Sequence, residues 1–397
     1  MDMRLASRME KIKPSPTLAV AEKAARLKAE GRDIIGLGTG EPDFDTPQHI
    51  KDAAIAAISS GFTKYTSVDG IPDLKKAIQQ KLKQENNLEY DLNQIIVGTG
   101  GKQCCYNLCM ALLNPGDEVI IPGPYWVSYP DMVMLAEGVP VFVPTTAEQR
   151  FKMTPAQLEQ AITSKTKLLF INSPSNPSGV AYTKDELYAL AQVLMAHPQI
   201  WIATDDMYEH ILWNKPFVNI LNAEPRLKAR TIVLNGVSKA YAMTGWRIGY
   251  AAGDAALIEQ MKSVQSQSTS NPCSIAQKAA VAALTGDQSV VAQMNNAFKE
   301  RHDYVLTRLN AIPGVTTVPA DGTFYLFPSV QSIIEQCGMK DDLEFAERLL
   351  MQEGLAIVPG SAFGAPGCIR LSFATSHAQL ENALDRLERF IKNPIFF

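Results

Sequence analysis

Lys239 and Arg247 are the two residues whose types and spacing most directly suggest chemistry. The lysine follows a short apolar segment, 231–234, in a stretch of small residues, and the arginine comes eight positions later. A neutral amine condenses with an aldehyde, and a nearby guanidinium lowers the pKa of the amine and pairs with a phosphate. An aldehyde that carries a phosphate fits both groups, and pyridoxal 5'-phosphate is such a molecule. A single lysine is more often a solvated surface residue, so this interpretation depends on partners elsewhere.

Polar residues that follow the apolar segment 200–204 suit the ring of this cofactor. A carboxylate at the end of a strand can pair with a protonated pyridine nitrogen, which makes the ring an electron sink. Asp205 is the first choice for this carboxylate, and Asp206 is the competing candidate. Tyr208, three residues on, is placed to direct its hydroxyl at the phenolic oxygen of the ring. An acidic helix cap followed by a core tyrosine explains the same pattern equally well.

Asn176, Trp126 and Arg370 offer three further contacts. Pro174 and Pro177 restrain the loop around Asn176, whose amide can donate to the same phenolic oxygen. Trp126 follows another apolar segment and can stack on a heteroaromatic ring. Arg370 alternates with apolar residues in 369–373, so it is expected on a strand, facing away from the core, as a clamp for a carboxylate. An Asx turn, a core aromatic ring and a surface ion pair are the respective alternatives, so the combination carries the prediction.

Two glycine-rich segments resemble nucleotide-binding loops but depart from their spacing. The segment 96–103 predicts a strand, a glycine turn and a helix whose first N–H groups attract a phosphate. Gln103 stands where the Walker motif requires Ser or Thr, and Ile96 where it requires its first Gly. In the segment 36–41, Glu41 occupies the third Gly position of the dinucleotide fingerprint. Nucleotide binding is therefore disfavoured for both segments.

Short β-branched segments alternate with helical segments across the middle of the chain. Strands are predicted over 95–97, 118–121, 141–143, 167–171, 200–204, 231–234 and 248–252. Helical stretches such as 102–113 and 183–195 separate them, which predicts βαβ units and a mostly parallel sheet with helices on both faces. Ligands of such sheets collect at the carboxyl ends of the strands. Several of the candidate residues lie at those ends.

The pattern changes beyond about residue 286. A long charged helix is predicted over 290–309, short strands over 315–318 and 323–327, and a last helix over 376–391 with Ser376 as its N-cap. The segment with Pro14 and Pro16 is expected to form an extended arm before a helix near 19–30. The sequence thus predicts an α/β protein with a large cofactor-binding domain, residues 50–285. Residues 1–49 and 286–397 are predicted to form a smaller α+β domain with an N-terminal arm.

The composition is that of a globular protein: 397 residues, 46% hydrophobic and 20% charged, with a net charge of −4. Lys and Arg form no dense cluster, and the sequence has neither a signal-peptide pattern nor an apolar segment of membrane-span length. Nucleic acid and membrane are therefore not expected partners, and a cytoplasmic location is expected. Cys104, Cys105 and Cys109 lack the paired spacing of a zinc site and are interpreted as packing residues, so no metal is expected. A ligand-sensing regulator would need a DNA-binding module, for which the sequence before Gly36 leaves no room.

Seven motifs occur in order along nearly the whole chain. They are Gly40-Glu41-Pro42-Asp43-Phe44-Asp45-Thr46-Pro47, Gly100-Gly101-Lys102, Tyr125-Trp126, Ser175-Asn176-Pro177-Ser178-Gly179, Asp205-x-x-Tyr208, Ser238-Lys239 and Met243-Thr244-Gly245-Trp246-Arg247. In this order and spacing they resemble the class I aminotransferases of the aspartate aminotransferase family, fold type I. The set is specific, although each motif alone is weak. The likeness is strongest to the bacterial and plant subgroup, some of whose members also aminate prephenate.

The resemblance implies a PLP-dependent transferase fold type I enzyme and a role for each motif residue. Lys239 would be the Schiff-base lysine and the base that moves the proton of the substrate α-carbon. The cofactor residues it implies are Tyr65 of a second subunit and Gly101, Lys102, Trp126, Asn176, Asp205, Tyr208, Ser238, Lys239 and Arg247. The substrate residues it implies are Lys13, Gly40, Lys102, Trp126, Asn176 and Arg370. A homodimer with shared active sites follows, because Tyr65 would otherwise lack its site. Gly236 replaces a serine that binds the phosphate in many members, which leaves a phosphate contact of Ser238 open.

Lys102 is the residue that discriminates among substrates within this family. In the resembling subgroup it engages the side-chain carboxylate of a dicarboxylic substrate. The resemblance therefore implies an aspartate aminotransferase, which converts L-aspartate and 2-oxoglutarate into oxaloacetate and L-glutamate in a ping-pong cycle. The alternative is a bifunctional aspartate/prephenate aminotransferase that forms arogenate, since dual-function members carry a lysine at the position of Lys13. β-Elimination or decarboxylation would use the same cofactor residues, but Lys102 together with Arg370 favours a substrate with two carboxylates.

Overall fold

The computed structural model describes residues 6–12, 16–213 and 215–393, so Lys13 lies outside the described residues. The helices are α1 Pro16–Ala29, α2 Gln48–Ser59, α3 Pro72–Asn86, α4 Gly101–Leu112, α5 Ser128–Leu135, α6 Pro155–Ala161, α7 Lys184–Ala196, α8 Ile220–Ala223, α9 Ala255–Ser266, α10 Ser274–Thr285, α11 Ser289–Asn310, α12 Gln331–Gln336, α13 Asp342–Glu353 and α14 His377–Lys392. The strands are β1 Ile35–Gly36, β2 Ile95–Thr99, β3 Glu118–Pro122, β4 Val139–Val143, β5 Thr166–Asn172, β6 Trp201–Asp205, β7 Thr231–Gly236, β8 Ile248–Ala252, β9 Tyr325–Leu326, β10 Leu355–Ala356, β11 Val358–Pro359 and β12 Ile369–Ser372.

A seven-stranded sheet with the order β2-β8-β7-β6-β5-β3-β4 forms the centre of the molecule. Only β8 runs against its neighbours, and the other strands point the same way. Each of the seven strands predicted between residues 95 and 252 is confirmed, with bounds that differ by at most two residues. Because β5, β6 and β7 are parallel neighbours, their carboxyl ends meet at one edge of the sheet.

Alternating side chains of the sheet enter two hydrophobic layers. Val97 and Leu169 point into a core shared with α2, α3, α7 and α10, whereas Ile96 and Phe170 point into a core shared with α4, α5 and α9. Both faces of the sheet are therefore covered by helices, as expected for strands that are apolar throughout. Cys104, Cys105 and Cys109 are buried in the second of these cores, which confirms that they are packing residues.

A further core lies around the antiparallel strands β11-β12-β9, with α11, α13 and α14 packed over them. The strand predicted over 315–318 was wrong: this segment is irregular and forms a single bridge, between Thr316 and Ser329. Pro313 and Pro319 flank the segment, and a proline has no N–H to extend a ladder. The strand predicted over 323–327 is confined to Tyr325–Leu326.

The two ends of the chain differ in how far their predicted structure is confirmed. Ser376 caps α14 as predicted, since its side chain accepts a hydrogen bond from the N–H of Gln379 at 3.3 Å. The expected extended arm is partly wrong, because Ser7–Glu10 forms a 3-10 turn and α1 begins at Pro16, three residues before the predicted start. Pro14, on which the prediction also rested, lies outside the described residues. Proline fits the first position of a helix, where its missing N–H would have no partner. No helix among the described residues is both long and apolar enough to cross a membrane.

Two glycines allow α4 to start directly against β8. A Cβ added to Gly249 would lie 2.2 Å from the backbone nitrogen of Gly101, which no side chain can tolerate. The N-terminus of α4 is thus held against the central sheet at backbone contact distance. This contact fixes where the first N–H groups of α4 point, at the same edge of the sheet as the ends of β5, β6 and β7.

Candidate active site

A cavity of about 280 Å³ opens where the carboxyl ends of the central strands face the β9–β12 region. Its lining residues come from the ends of β5, β6 and β7, from the start of α4, and from β9 and β12. They are Thr17, Leu18, Gly40, Gly101, Lys102, Cys105, Trp126, Val127, Ser128, Asn172, Asn176, Asp205, Met207, Tyr208, Leu234, Ser238, Lys239, Arg247, Tyr325 and Arg370. Apart from Tyr65 and Lys13, every site residue predicted from the sequence lies in this lining.

Lys239 reaches into the cavity and donates a hydrogen bond from Nζ to the carbonyl oxygen of Gly40 at 2.6 Å. Burial is the largest cause of the lowered pKa of Lys239, the positive charges of Arg370 and Arg247 add to it and Glu41 opposes it, which together bring the pKa to about 8. A larger fraction of this amine is therefore neutral at physiological pH than in a solvated lysine, and the neutral form is the one that attacks an electrophile.

Asp205 lies in the cavity wall, and the competing candidate Asp206 does not. Asp206 turns away and accepts hydrogen bonds from Thr204 and Asn219. Asp205 accepts a hydrogen bond from the hydroxyl of Tyr129. Burial raises the pKa of Asp205, and the bond from Tyr129 offsets part of this rise. A cationic partner in the cavity would keep this carboxyl ionised.

Arg370 is 2% exposed, and its guanidinium is fixed by the groups around it. Nη1 donates to Oδ1 of Asn176 at 2.9 Å, and Nη2 donates to the carbonyl oxygen of Gly38 at 2.7 Å. The guanidinium also lies 4.4 Å from the centroid of the Tyr325 ring. The expected alternation along β12 is present, but Arg370 faces the cavity rather than solvent, and the strand is buried on both sides.

Arg247 and Lys102 bring two more cations to the opposite side of the cavity. Arg247 has a left-handed backbone, with φ of 57°, and a Cβ on Gly100 would lie 2.3 Å from its Nη2. Gly100 therefore makes room for this guanidinium beside the first turn of α4, where free N–H groups also attract an anion. Nζ of Lys102 lies 5.2 Å from the centroid of the Trp126 ring. Arg247 and the start of α4 thus form a pocket suited to a phosphate, and the amine of Lys102 is a further cation beside it.

Ser238 and Tyr65, two of the predicted site residues, differ in their position relative to the cavity. Ser238 is buried and lines the cavity, and its contact with a phosphate stays a prediction. Tyr65 is 92% exposed and is not part of the cavity in its own chain. The described part of the chain thus brings together every predicted residue except this one.

The chain matches a known protein family over most of its length. A family model described as aminotransferase class I and II matches residues 32–387. The chain belongs to this family of aminotransferases. An aspartate/prephenate aminotransferase of Nitrosomonas europaea is 58% identical over 392 residues, which cover 97% of this chain and 99% of that protein.

Solved structures show the same fold as this aminotransferase. The aspartate aminotransferase of Rhizobium meliloti matches with a TM-score of 0.95 and 48% identity, covering 98% of this chain and 99% of that one. The aspartate aminotransferase of Thermus thermophilus with maleate matches with a TM-score of 0.92 and 44% identity, covering 98% and 100%. The predicted α/β architecture of fold type I is confirmed.

Three residues of the aminotransferase site were not found from the sequence. Tyr325 and Tyr129 lie in a short strand and a helix start whose patterns indicate only core packing, and their roles depend on contacts with distant residues. Asn172 donates to the carbonyl oxygen of Asp205 and accepts from the N–H of Asn176. Asn172 did carry a signal, because it is the polar residue that ends the predicted strand 167–171.

A buried ion pair supports the loops behind the cavity. Glu209, next to Tyr208, accepts hydrogen bonds from Lys81 of α3, from Asn86 at 2.6 Å and from Asn235 at 2.7 Å. Burial alone would raise the pKa of Glu209, but the charge and hydrogen bond of Lys81 lower it to about 2. Since Asn235 ends β7, this pair joins the loops that carry Tyr208 and Lys239.

The lowered pKa of Lys239 predicts a pH-dependent stability of the cofactor-free protein. Between pH 8 and 10.5 the unfolded chain holds more protons on this lysine than the folded chain, so this group makes stability rise with pH. Below pH 8 the buried lysine is charged in the folded protein and lowers the free energy of unfolding by its full amount. We expect Lys239→Met to stabilise the cofactor-free protein by about 2 kcal/mol at pH 7, after allowance for screening by water in the cavity.

Urea unfolding of both proteins, at several pH values between 7 and 11, checks this expectation. The advantage of the variant should shrink as the pH rises from 8 to 10.5. A difference in the free energy of unfolding between the two proteins that stays constant from pH 8 to 10.5 would contradict it.

Proposed function

We propose that the cavity binds pyridoxal 5'-phosphate. Several observations fit this group: the pKa of the Lys239 amine is lowered to about 8, Gly100 leaves space beside Arg247, and a buried carboxyl, Asp205, faces the same cavity. In addition, Nε of Arg370 is buried and has no hydrogen-bond partner among the described residues. A cavity with this excess of positive charge is suited to anionic ligands.

In this proposal the side chains of the cavity have different catalytic and binding roles. Lys239 Nζ is the nucleophile for the aldehyde and the group that takes the proton from the substrate α-carbon and returns it. Asp205 keeps the pyridine nitrogen protonated, and Asn176 and Tyr208 donate to the phenolic oxygen. When bound, the cofactor supplies a ring that withdraws electrons from the substrate α-carbon. The phosphate is held by Arg247 and the start of α4, including the backbone of Gly101 and Lys102.

We propose that the reaction is transamination between L-aspartate and 2-oxoglutarate, giving oxaloacetate and L-glutamate. The observation that carries this proposal is the presence in one cavity of two cations, Arg370 and Lys102, besides the phosphate-binding Arg247. Arg370 is placed for the α-carboxylate, and Lys102 remains for a second carboxylate. Similar proteins whose names contain aspartate, and one solved with the dicarboxylate maleate, support it. The match to the aminotransferase family favours transamination over elimination or decarboxylation of the same dicarboxylic substrate.

Lys239→Ala tests the proposed mechanism. We expect the variant to lose turnover of aspartate with 2-oxoglutarate and to lose the near-visible absorbance of the lysine-linked cofactor, because the other amine of the lining, Lys102, lies over the Trp126 ring and is assigned to the substrate. Coupled assay of oxaloacetate and an absorbance spectrum provide the two measurements. Retained turnover in this variant would disprove the mechanism.

Lys102→Met tests the substrate class. Loss of a hydrogen bond to a charged group should lower kcat/KM for aspartate by about 10- to 100-fold. Alanine, which lacks the second carboxylate, is the matched control substrate and should be affected far less. An equal loss for both amino acids would show that Lys102 does not read the side chain.

A second candidate is an additional activity on prephenate that forms arogenate. It is favoured by the name of the 58% identical relative, an aspartate/prephenate aminotransferase. Lys13, the residue that suggested this activity, lies outside the described residues. Incubation with glutamate and prephenate, for wild type and for Lys13→Ala, decides between the candidates. An absence of arogenate with the wild-type protein would exclude the second activity.

We further propose a homodimer in which each subunit completes the site of the other. The support is Tyr65, whose ring is 92% exposed and contacts no part of its own cavity. Nearby, Ile55 and Ile58 of α2 are also more than half exposed, as expected for residues that a partner covers. A fully active monomer in analytical ultracentrifugation would contradict this assembly.

The division into domains and the location in the cell complete the proposal. Residues 50–285 would form the large domain and residues 1–49 with 286–397 the smaller one, supported by the separate cores around the two groups of strands. Hydrogen exchange that shows one cooperative unit across both cores would contradict the division. A cytoplasmic location is supported by six free cysteines, as expected in a reducing compartment, and secretion of the protein would contradict it.

A further inference from the structure

Tyr325 lies between Tyr208, which is proposed to contact the cofactor, and Arg370, which is proposed to bind the substrate. It is fully buried on β9, which pairs with β12 so that Tyr325 faces Ser372 and Leu326 faces Leu371. Its hydroxyl lies 3.1 Å from the hydroxyl of Tyr208, and its ring centroid lies 4.4 Å from the guanidinium carbon of Arg370.

The protons of the two hydroxyl groups can be assigned by counting. Either oxygen can be the donor in the bond between Tyr208 and Tyr325. A phenol has one proton, so if Tyr208 gives its proton to the phenolic oxygen of the cofactor, it can only accept from Tyr325. A donor that itself accepts a hydrogen bond becomes a stronger donor, because consecutive hydrogen bonds polarise one another.

The ring of Tyr325 has a different partner. The guanidinium of Arg370 is held at its edge by Asn176 and Gly38, and the Tyr325 ring lies close to it at cation–π distance. Phe363 is a second aromatic neighbour, at 4.9 Å. A ring beside a desolvated guanidinium attracts it and limits its rotation. The ring therefore helps to orient the group that would bind the substrate α-carboxylate.

The hydroxyl of Tyr325 also limits the loop that holds Lys239. A Cβ on Gly40 would lie 2.7 Å from this oxygen, so the loop can approach only because residue 40 is glycine. The carbonyl oxygen of the same glycine accepts from Lys239. Tyr325 thus contacts the Tyr208 hydroxyl and the Arg370 guanidinium directly. It also borders Gly40, the residue that accepts the hydrogen bond of the Lys239 amine.

We propose that Tyr325 is a positioning residue with two separable parts, a hydroxyl that strengthens the donor Tyr208 and a ring that orients Arg370. The inference rests on the proposed function, since it needs a cofactor oxygen at Tyr208 and a carboxylate at Arg370. The two parts can be removed one at a time. Tyr325→Phe deletes the hydroxyl and keeps the ring, whereas Tyr325→Leu deletes both.

The hydroxyl is tested by titrating the near-visible absorbance of the lysine-linked cofactor in the purified holoenzyme. A weaker donor at Tyr208 stabilises the negative phenolic oxygen less, so the deprotonated form is disfavoured. In Tyr325→Phe we expect the pKa of this absorbance to rise by about 0.3, since polarisation by a second hydrogen bond strengthens a bond to a charged group by about 10–30%. The affinity for maleate, a dicarboxylate that cannot react, should change by less than about twofold, because the ring beside Arg370 remains.

The ring is tested by the affinity for maleate in Tyr325→Leu. Loss of a buried cation–π contact should weaken binding by about 10-fold relative to Tyr325→Phe, with a similar pKa of the absorbance in both variants. Tyr182→Phe is the matched control, because its hydroxyl is buried and accepts from the N–H of Met153, away from the cavity. It should alter neither quantity.

Each outcome decides one part. An unchanged pKa in Tyr325→Phe overturns the role of the hydroxyl, and an unchanged affinity in Tyr325→Leu overturns the role of the ring. A shift of the same size in Tyr182→Phe would show a general loss of packing and would overturn both. A wild-type protein with no titrating near-visible absorbance would contradict the proposed function itself, which distinguishes that failure from the failure of the inference.

Discussion

Burial of several cationic side chains in one cavity is the constraint on which the site depends. Lys239, Arg247 and Arg370 all line a space of about 280 Å³. Burial is the largest cause of the lowered pKa of the lysine, and the charges of Arg370 and Arg247 add to it. The same positive charges make the cavity attractive to phosphate and carboxylate. The nucleophile and the anion sites therefore depend on the same group of buried side chains.

The loop after β6 shows how this arrangement is kept in place. Asp205, Met207 and Tyr208 line the cavity, whereas Asp206 and Glu209 point into buried polar contacts behind it. One short segment therefore has a functional side and an anchored side. Tyr208 also belongs to the core around β9 and β12, so the loop connects the central sheet with the strands that carry Arg370 and Tyr325. The position of the catalytic groups depends on both cores together.

Much of this was predictable because polar residues at strand ends are visible in a sequence. The seven central strands, Lys239, Asp205 and Asn176 followed from apolar segments that end in polar residues, and Arg370 followed from its alternation with apolar residues in 369–373. Tyr325 and Tyr129 could not be found this way, since an aromatic residue within an apolar segment indicates packing, and its hydroxyl partner lies far away in sequence. The segment 315–318 was misjudged because its β-branched residues outweighed the prolines that flank it. The choice between Asp205 and Asp206 required the direction of each side chain.

The contact between Gly249 and Gly101 has a consequence for how such a site can diversify. A side chain on Gly249 would collide with the backbone of Gly101, so this part of the cavity wall is backbone at contact distance. The anion site at the start of α4 therefore depends on backbone N–H groups that no side-chain substitution removes. Lys102, the next residue of the helix, carries the side chain proposed to select the substrate. New substrate preferences can therefore arise at Lys102 while the backbone beside it keeps the shared anion site.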